Sequence, residues 1–195
     1  RDSEGNQFFA GYDRLLIASG ASPRVLPVPG AEKKNIFTLK TPQDAENIRA
    51  AISHKHADVV IVGGGAIGLE LAEACLLQKV KSLRIIEQAN QLLPGLDEEF
   101  ALAARDELNK HGVEMHLNAR VTAFVGDECV SGVATGGVTY AADVVILSAG
   151  VVPNTQFAEG LHKLPNGAIV TDERMLTSEP DVFAAGDCAS VWHKL

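Results

Sequence analysis

The sequence is poor in several things that would each have pointed elsewhere. Its cysteines, Cys75, Cys129 and Cys188, are three in number and separated by 54 and 59 residues. That spacing fits neither a CxxC metal site nor the paired framework of a small secreted domain. Aromatic residues make up 5% of the 195, and no residue type dominates, which excludes collagenous and low-complexity chains. Long hydrophobic runs are missing too. The longest nearly apolar stretch, Val59 to Leu69, contains four glycines and stops at Glu70, too short and too interrupted to span a bilayer. Positive charge is in deficit: 17 Lys and Arg stand against 25 Asp and Glu, a net charge of -8. With no Lys/Arg block, a surface that condenses on nucleic-acid phosphates or anionic lipid is disfavoured. The expectations are therefore no nucleic-acid partner and no membrane. Arg1 opens the chain without a signal-peptide pattern, and together with the cysteine usage this reads as a reducing, cytoplasmic setting.

What is present suits one compact domain, or one domain with pieces of another: 46% of residues are hydrophobic, enough for a real core at this length. Tyr12 to Ala18 is an apolar run halted at Ser19-Gly20, and Pro23, Pro27 and Pro29 keep the following linker extended. Thr41 and Pro42 have the residue types of an N-cap and a first helical position, and Ala45, Ile48 and Ile52 continue at helical spacing. Asp58 to Val62 is continuous and β-branched, as in a strand buried on both faces of a parallel sheet. A helix from about Ala66 to Gln78 and a second strand, Ser82 to Glu87, complete a βαβ unit. Asp97 is placed to cap the next helix, and Gly112 follows His111 where a left-handed C-terminal residue belongs. Val113 to Leu117 reads as a third strand, the glycine-punctuated stretch from Val121 to Tyr140 as a small antiparallel meander, and Asp143 to Ser148 as a buried strand. An internal echo brackets the βαβ unit: Asp13, Gly20 and Pro23 are spaced as Asp143, Gly150 and Pro153 are, 130 residues later.

Gly63-Gly64-Gly65-Ala66-Ile67-Gly68 fits G-x-G-x-x-G directly after a strand and at the opening of a helix. In that pattern Gly63 allows the tight turn, Gly65 lets a pyrophosphate approach the backbone, and Gly68 lets the helix pack close to the sheet. Unpaired N–H groups at the helix start favour an anion. The pattern calls for an acid at the end of the second strand about 20 residues on, and Glu87 follows Gly68 by 19. Its carboxylate would accept from the adenosine ribose hydroxyls and repel a 2′-phosphate, and Gln88 to Gln91 supply no offsetting cation, so NADH is expected over NADPH. The bland alternative for Glu87 is a solvated strand-end carboxylate. Glu70, read as lying in the first helical turn, has the bland role of complementing the helix dipole, worth about 0.3–1 kcal/mol.

VVIVGGGAIGLELAE, LLPGLDEE, ADVVILSAGVVPN and DVFAAGDCA together resemble the FAD-dependent pyridine nucleotide-disulfide oxidoreductases, and YDRLLIASGASPR is similar to their segment leaving the flavin domain. The fold this implies is α/β: a Rossmann-like nicotinamide-binding domain with its meander over residues 23–150, flanked by partial FAD-domain segments at 1–22 and 151–195. The resemblance implies that Asp187 bonds the FAD ribityl chain, that Ser19, Gly20 and Gly150 form turns beside the two cofactors, and that Glu70 holds the nicotinamide carboxamide. Ala66 departs from the tyrosine gate of many disulfide reductases, which implies an open or differently gated pocket. No FAD-binding glycine motif, redox cysteine motif or dimerisation domain is recognisable, so the chain reads as the middle of a homodimeric parent. The closing GDCASVWHKL resembles the CoA-disulfide reductase and NADH oxidase branch, with Cys188 packing rather than reacting.

The activity so implied is hydride transfer from NADH to FAD, and onward to a disulfide, oxygen, peroxide or other acceptor, with an NADH-dependent ferredoxin/rubredoxin reductase or a nitrite reductase flavoprotein component as the alternative. The chain alone is expected to bind NADH without turnover. A nucleotide-sensing module without flavin and a purely structural piece remain as alternatives. No G-x-S-x-G elbow, Walker loop or H-E-x-x-H occurs. His54 and His56 flank Lys55 in a polar connector with no metal-ligand pattern.

Overall fold

The computed structural model describes residues 5, 9–53 and 56–191; His54 and the closing Trp192 to Leu195 lie outside them. In chain order the elements are β1 (Leu15–Ile17), β2 (Ala21–Pro23), β3 (Ile36–Thr38), α1 (Pro42–Ile52), β4 (Asp58–Val62), α2 (Ala66–Leu77), β5 (Ser82–Ile86) and α3 (Glu98–Lys110). There follow β6 (Glu114–His116), β7 (Ala123–Val125), β8 (Gly132–Ala134), β9 (Thr139–Ala141) and β10 (Val144–Leu147). The chain then runs through β11 (Val151–Pro153), β12 (Ile169–Val170), β13 (Val182–Ala184) and β14 (Ala189–Ser190). Two compact units result, Pro23–Val151 in one and Arg1–Ser22 with Val152–Leu195 in the other.

The first of these units is built on a parallel sheet of order β3-β10-β4-β5-β6. β4 is central, pairing Val59 to Val62 with Val144 to Leu147 on one side and with Leu83 to Ile86 on the other. Alternation of side chains across the pleat explains why this strand is apolar without interruption. Val59 and Ile61 pack, with Ile85 and Ile146, against Ile48 and Ile52 of α1 and Leu71, Ala72 and Cys75 of α2. Val60 and Val62 pack on the opposite face, with Val145 and Leu147, against Phe124 and Val133 of the antiparallel meander β7-β8-β9. Helices therefore cover one face and the meander covers the other. Each large aliphatic buried in these layers contributes roughly 1.5–3 kcal/mol.

Local signals fix the helix ends. Thr41 Oγ1 accepts from the Asp44 N–H at 3.2 Å and Asp44 Oδ2 accepts from the Thr41 N–H at 2.8 Å, a reciprocal capping box before Pro42. Asp97 occupies the N-cap of α3 but makes no side-chain capping bond, so the expected cap is present in position only; Glu98 and Glu99 in the first turn complement the dipole instead.

In the other unit β1 pairs in parallel with β13, β12 with β14, and Ile17, Ala158, Ile169, Val182, Ala184 and Cys188 form its core. The apolar run at Tyr12 to Ala18 is shorter and more exposed as a strand than its sequence suggests: Ile17 is buried, whereas Leu16 is 60% exposed. A two-stranded sheet has too few neighbours to bury both faces. The echoed glycines adopt the same left-handed backbone, φ +66° at Gly20 and +88° at Gly150, and the strands that follow them, β2 and β11, pair with each other.

Candidate functional site

The glycine turn sits at the C-terminal edge of the parallel sheet, between β4 and α2. The Gly63 N–H donates to the Ile86 carbonyl at 2.9 Å, and φ of +111° then swings the chain out of the strand, a conformation that requires glycine. A Cβ on Gly68 would overlap the Gly63 carbonyl oxygen and press on Ser148 Oγ, so close helix-to-turn packing depends on its absence. Gly65 differs from both. It is the N-cap of α2 with φ of -77°, and the space where its Cβ would stand is open. The first-turn N–H groups beyond it have no intrahelical acceptor.

Glu87 follows directly on β5 and is 7% exposed. Its Oε2 accepts from the Gly64 N–H and its Oε1 from the Ala89 N–H, each at 2.7 Å. Its backbone joins the neighbouring segment as well: the Glu87 N–H donates to the His116 carbonyl and its own carbonyl accepts from the Ala119 N–H, both at 2.9 Å. The acid is thus fastened between the glycine turn and the sheet edge. Ser148, at the end of β10, braces the turn from the other side, its hydroxyl donating to the Gly63 carbonyl at 2.9 Å or the Val62 carbonyl at 3.1 Å.

These groups line one cleft of about 660 Å³, bounded by Gly63, Gly65, Ala66 and Ile67, by Glu87 and Gln88, and by Ser148, Ala149 and Gly150. Its charged lining residues are Arg24, Glu87 and Arg120, a local balance of two positive to one negative in a chain of net charge -8. Arg24 lies at the Gly150 end, its backbone N–H donating to the Gly150 carbonyl at 2.9 Å, and Arg120 lies at the Glu87 end, directly after Ala119. Both arginines are exposed, and neither guanidinium makes a hydrogen bond or ion pair among the described residues. Free amides at the helix start and an open glycine form a combination suited to an elongated diphosphate ligand.

The cleft brings together Gly63, Gly65, Ala66, Ile67, Glu87 and Gly150, with Gly64 and Gly68 in the supporting layer beneath. Glu70 is exposed, does not line the cleft and is the fifth residue of α2. It therefore stands beyond the first turn expected for it, where the helix-dipole effect has already decayed. Ser19, Gly20 and Asp187 belong to the other unit. There the Ser19 hydroxyl donates to the Asn154 carbonyl at 2.6 Å, the Asn154 amide returns a bond to the Ser19 carbonyl at 3.1 Å, and the Asn154 N–H donates to the Gly20 carbonyl at 2.9 Å. Asp187 lies inside a 3-10 turn (Gly186–Cys188) capped by Ala185, so its carboxylate caps nothing and is exposed. Cys188 is fully buried with its thiol directed at the Ala185 carbonyl at 3.2 Å. No group of metal-ligating side chains occurs among the described residues, and no helix among them is long and apolar enough to cross a membrane.

Arg24, Arg120 and Ser148 escape a reading of the sequence. Arg120 lies 33 positions after Glu87 and reaches the cleft because the segment leaving β6 runs beside the end of β5; nothing in the intervening sequence signals it.

The family profile described as pyridine nucleotide-disulphide oxidoreductase matches residues 1–195. The NAD(P)H sulfur oxidoreductase (CoA-dependent) of Pyrococcus abyssi is 38% identical over 196 residues, which are 99% of this chain and 44% of that protein. Among solved structures, a FAD-dependent pyridine nucleotide-disulphide oxidoreductase from Desulfovibrio vulgaris is 37% identical with a TM-score of 0.80, over 96% of this chain and 48% of that one. The water-forming NADH oxidase of Lactobacillus brevis, solved bound to NADH, is 31% identical with a TM-score of 0.85, over 92% and 40%. The chain spans less than half the length of each.

Proposed function

The chain belongs to the pyridine nucleotide-disulphide oxidoreductase family, and from that premise we propose that the cleft in Pro23–Val151 binds NADH as the nicotinamide-binding part of an FAD-dependent oxidoreductase. The observation that carries the reading is the contrast among the glycines: Gly63 and Gly68 are closed in by protein while Gly65 faces open space. Tight packing on two sides of an empty position is what a backbone built to meet a diphosphate requires.

The residues divide the work. First-turn amides of α2 receive the diphosphate, and Gly63 and Gly68, braced by Ser148, hold those amides in place. Glu87 stands at the adenosine end, where its remaining lone pairs accept from ribose hydroxyls and its charge opposes a 2′-phosphate, which favours NADH. Ala149 and Gly150 border the nicotinamide end of the cleft; Glu70, one turn further along α2, orients the carboxamide in the whole enzyme. Ala66 puts a methyl group where a bulkier gate would shade the nicotinamide. In the other unit the exposed carboxylate of Asp187 fits a ribityl hydroxyl of FAD, whereas the Ser19 hydroxyl is already engaged by Asn154 and serves the turn at Gly20. When bound, the two cofactors supply hydride and electron transfer from NADH through FAD to a disulfide, oxygen, peroxide, another small acceptor or a small redox protein. The whole enzyme is a homodimer in this reading.

Titration of the chain with NADH and NADPH tests it. Saturable NADH binding that tightens as salt is lowered is expected, with NADPH weaker. Indifference to both nucleotides would return the chain to a structural role.

A further inference from the structure

Arg120 is left without a task by the reading above. It is exposed, lines the cleft beside Glu87 and has no hydrogen-bond or ion-pair partner among the described residues. We infer that Arg120 receives the 2′-phosphate of NADPH, so that this cleft accepts both dinucleotides and Glu87 sets a modest preference rather than an exclusion. The inference rests on the dinucleotide reading and deepens it.

The placement comes from backbone geometry. The Asn118 N–H donates to the Ala89 carbonyl at 2.8 Å and the Ala119 N–H to the Glu87 carbonyl at 2.9 Å, so residues 118–119 run alongside 87–89, and Arg120, the next residue, lines the same cleft as Glu87 and Gln88. In the Glu–ribose arrangement the 2′-position lies at the Glu87 carboxylate, which puts a 2′-substituent between that acid and the residue following Ala119. A guanidinium is well matched to a phosphate in shape and charge, since its planar fork donates two parallel N–H bonds to two oxygens.

Charge argues the same way. Glu87 is drawn back toward the protein by the Gly64 and Ala89 amides, both at 2.7 Å and both partial positive charges close to its oxygens. Arg120 forms no ion pair among the described residues. A phosphate monoester carrying about -1.5 to -2 therefore meets one repelling and one attracting side chain of equal formal charge. Gln88, which also lines the cleft, adds neutral donors.

The experiment measures dissociation constants of the 195-residue chain for NADH and NADPH, with 5′-AMP and 2′,5′-ADP as probes that isolate the 2′-phosphate. Wild type should bind NADPH within about tenfold of NADH. Arg120→Ala should weaken NADPH and 2′,5′-ADP by about tenfold or more, the loss of one charge-assisted bond, and change NADH and 5′-AMP by less than about threefold. Arg120→Lys should restore part of the loss, and NADPH binding should fall more steeply with salt than NADH binding does. Because Arg120 is exposed and makes no side-chain hydrogen bond or ion pair among the described residues, its removal should leave the fold unaltered, which a thermal melt verifies. Wild type that binds NADH but not NADPH, or an Arg120→Ala variant that weakens both dinucleotides equally, would overturn the inference while leaving the cleft reading intact. Failure of wild type to bind either dinucleotide would overturn both.

Discussion

Alanine at Gly65 and at Gly68 should separate binding from stability. At Gly68 the new methyl meets the Gly63 backbone carbonyl, with Ser148 Oγ 2.9 Å away. Neither a carbonyl in a turn nor a hydroxyl engaged with it can move freely. Overpacking of this kind costs about 1–3 kcal/mol, loosening of the Ser148 bond adds about 0.5–1.5 kcal/mol, and the helix-propensity gain of alanine over glycine returns about 1 kcal/mol. The net loss of roughly 0.5–3.5 kcal/mol lowers the melting temperature by about 1–14 °C in a chain of this size. At Gly65 the arithmetic is different. Its φ of -77° is ordinary for alanine and nothing lies within 4 Å of the new methyl. Reduced freedom of the unfolded chain stabilises by about 0.4–1 kcal/mol, and the N-cap preference for glycine over alanine opposes this by a similar amount. Scanning calorimetry should find Gly65→Ala within about 2 °C of wild type, while fluorescence titration finds NADH binding at least about tenfold weaker, because the methyl occupies the space a diphosphate needs. A Gly65→Ala variant that binds NADH as wild type does, or a Gly68→Ala variant that melts no lower, would refute the assignment of open and closed glycines.

Glu87→Gln should lower the melting temperature as well as weaken NADH, since an amide keeps one acceptor oxygen for the two N–H groups at Gly64 and Ala89 and strands the other at a cost of about 1–3 kcal/mol; an unchanged melt would show that those bonds carry no stability. Among the cysteines, Cys129 is exposed while Cys75 and Cys188 are buried, so a thiol reagent at neutral pH should titrate one fast group and reach the other two after denaturation. Burial pushes the Cys75 thiol up to about 11 from its usual 9.0. The unfolded thiol ionises first, so stability unaffected below pH 9 declines by up to about 3 kcal/mol between pH 9 and 11, and Cys75→Ala should remove that part of the alkaline slope. At the acid end, the Lys81 ammonium at 2.7 Å and the Ser82 hydroxyl hold the Asp58 carboxyl below its usual 3.8. A depressed folded value stabilises the native state above pH 3.8 and the contribution is lost as pH falls through that lower value. The advantage of wild type over Asp58→Asn at pH 7, about 1 kcal/mol or less for a pair whose lysine is exposed, should therefore vanish in an acid titration of stability.

Much of this architecture is legible one residue at a time. The β-branched Asp58–Val62 announces a strand buried on both faces, Thr41 with Pro42 announces a helix start, and the spacing of Gly63, Gly65, Gly68 and Glu87 announces their meeting at one sheet edge. Those signals are local, set by φ, by capping or by side-chain period. What stays hidden is set by contacts distant in sequence. The three residues of β3 join the sheet through pairing with Val145 to Leu147, and Ile36 to Thr38 have no period of their own to reveal it. Asp97 has the right residue type for a cap yet makes no side-chain capping bond. The exposure of Leu16 follows from how few strands flank β1. Arg24 and Arg120 look like surface charges until the backbone bond to Gly150 holds the first and the segment leaving β6 carries the second to the other end of the cleft.

One carboxylate both tethers the glycine loop and, in the function proposed above, reads the sugar beside it. Coenzyme re-tooling at this site is consequently a two-part problem: an arginine put in place of Glu87 brings the desired charge but offers no oxygen to the Gly64 amide, and the loop loses its tether along with its selectivity. Designs that leave the acid in place and tune the opposite bank would spare the scaffold.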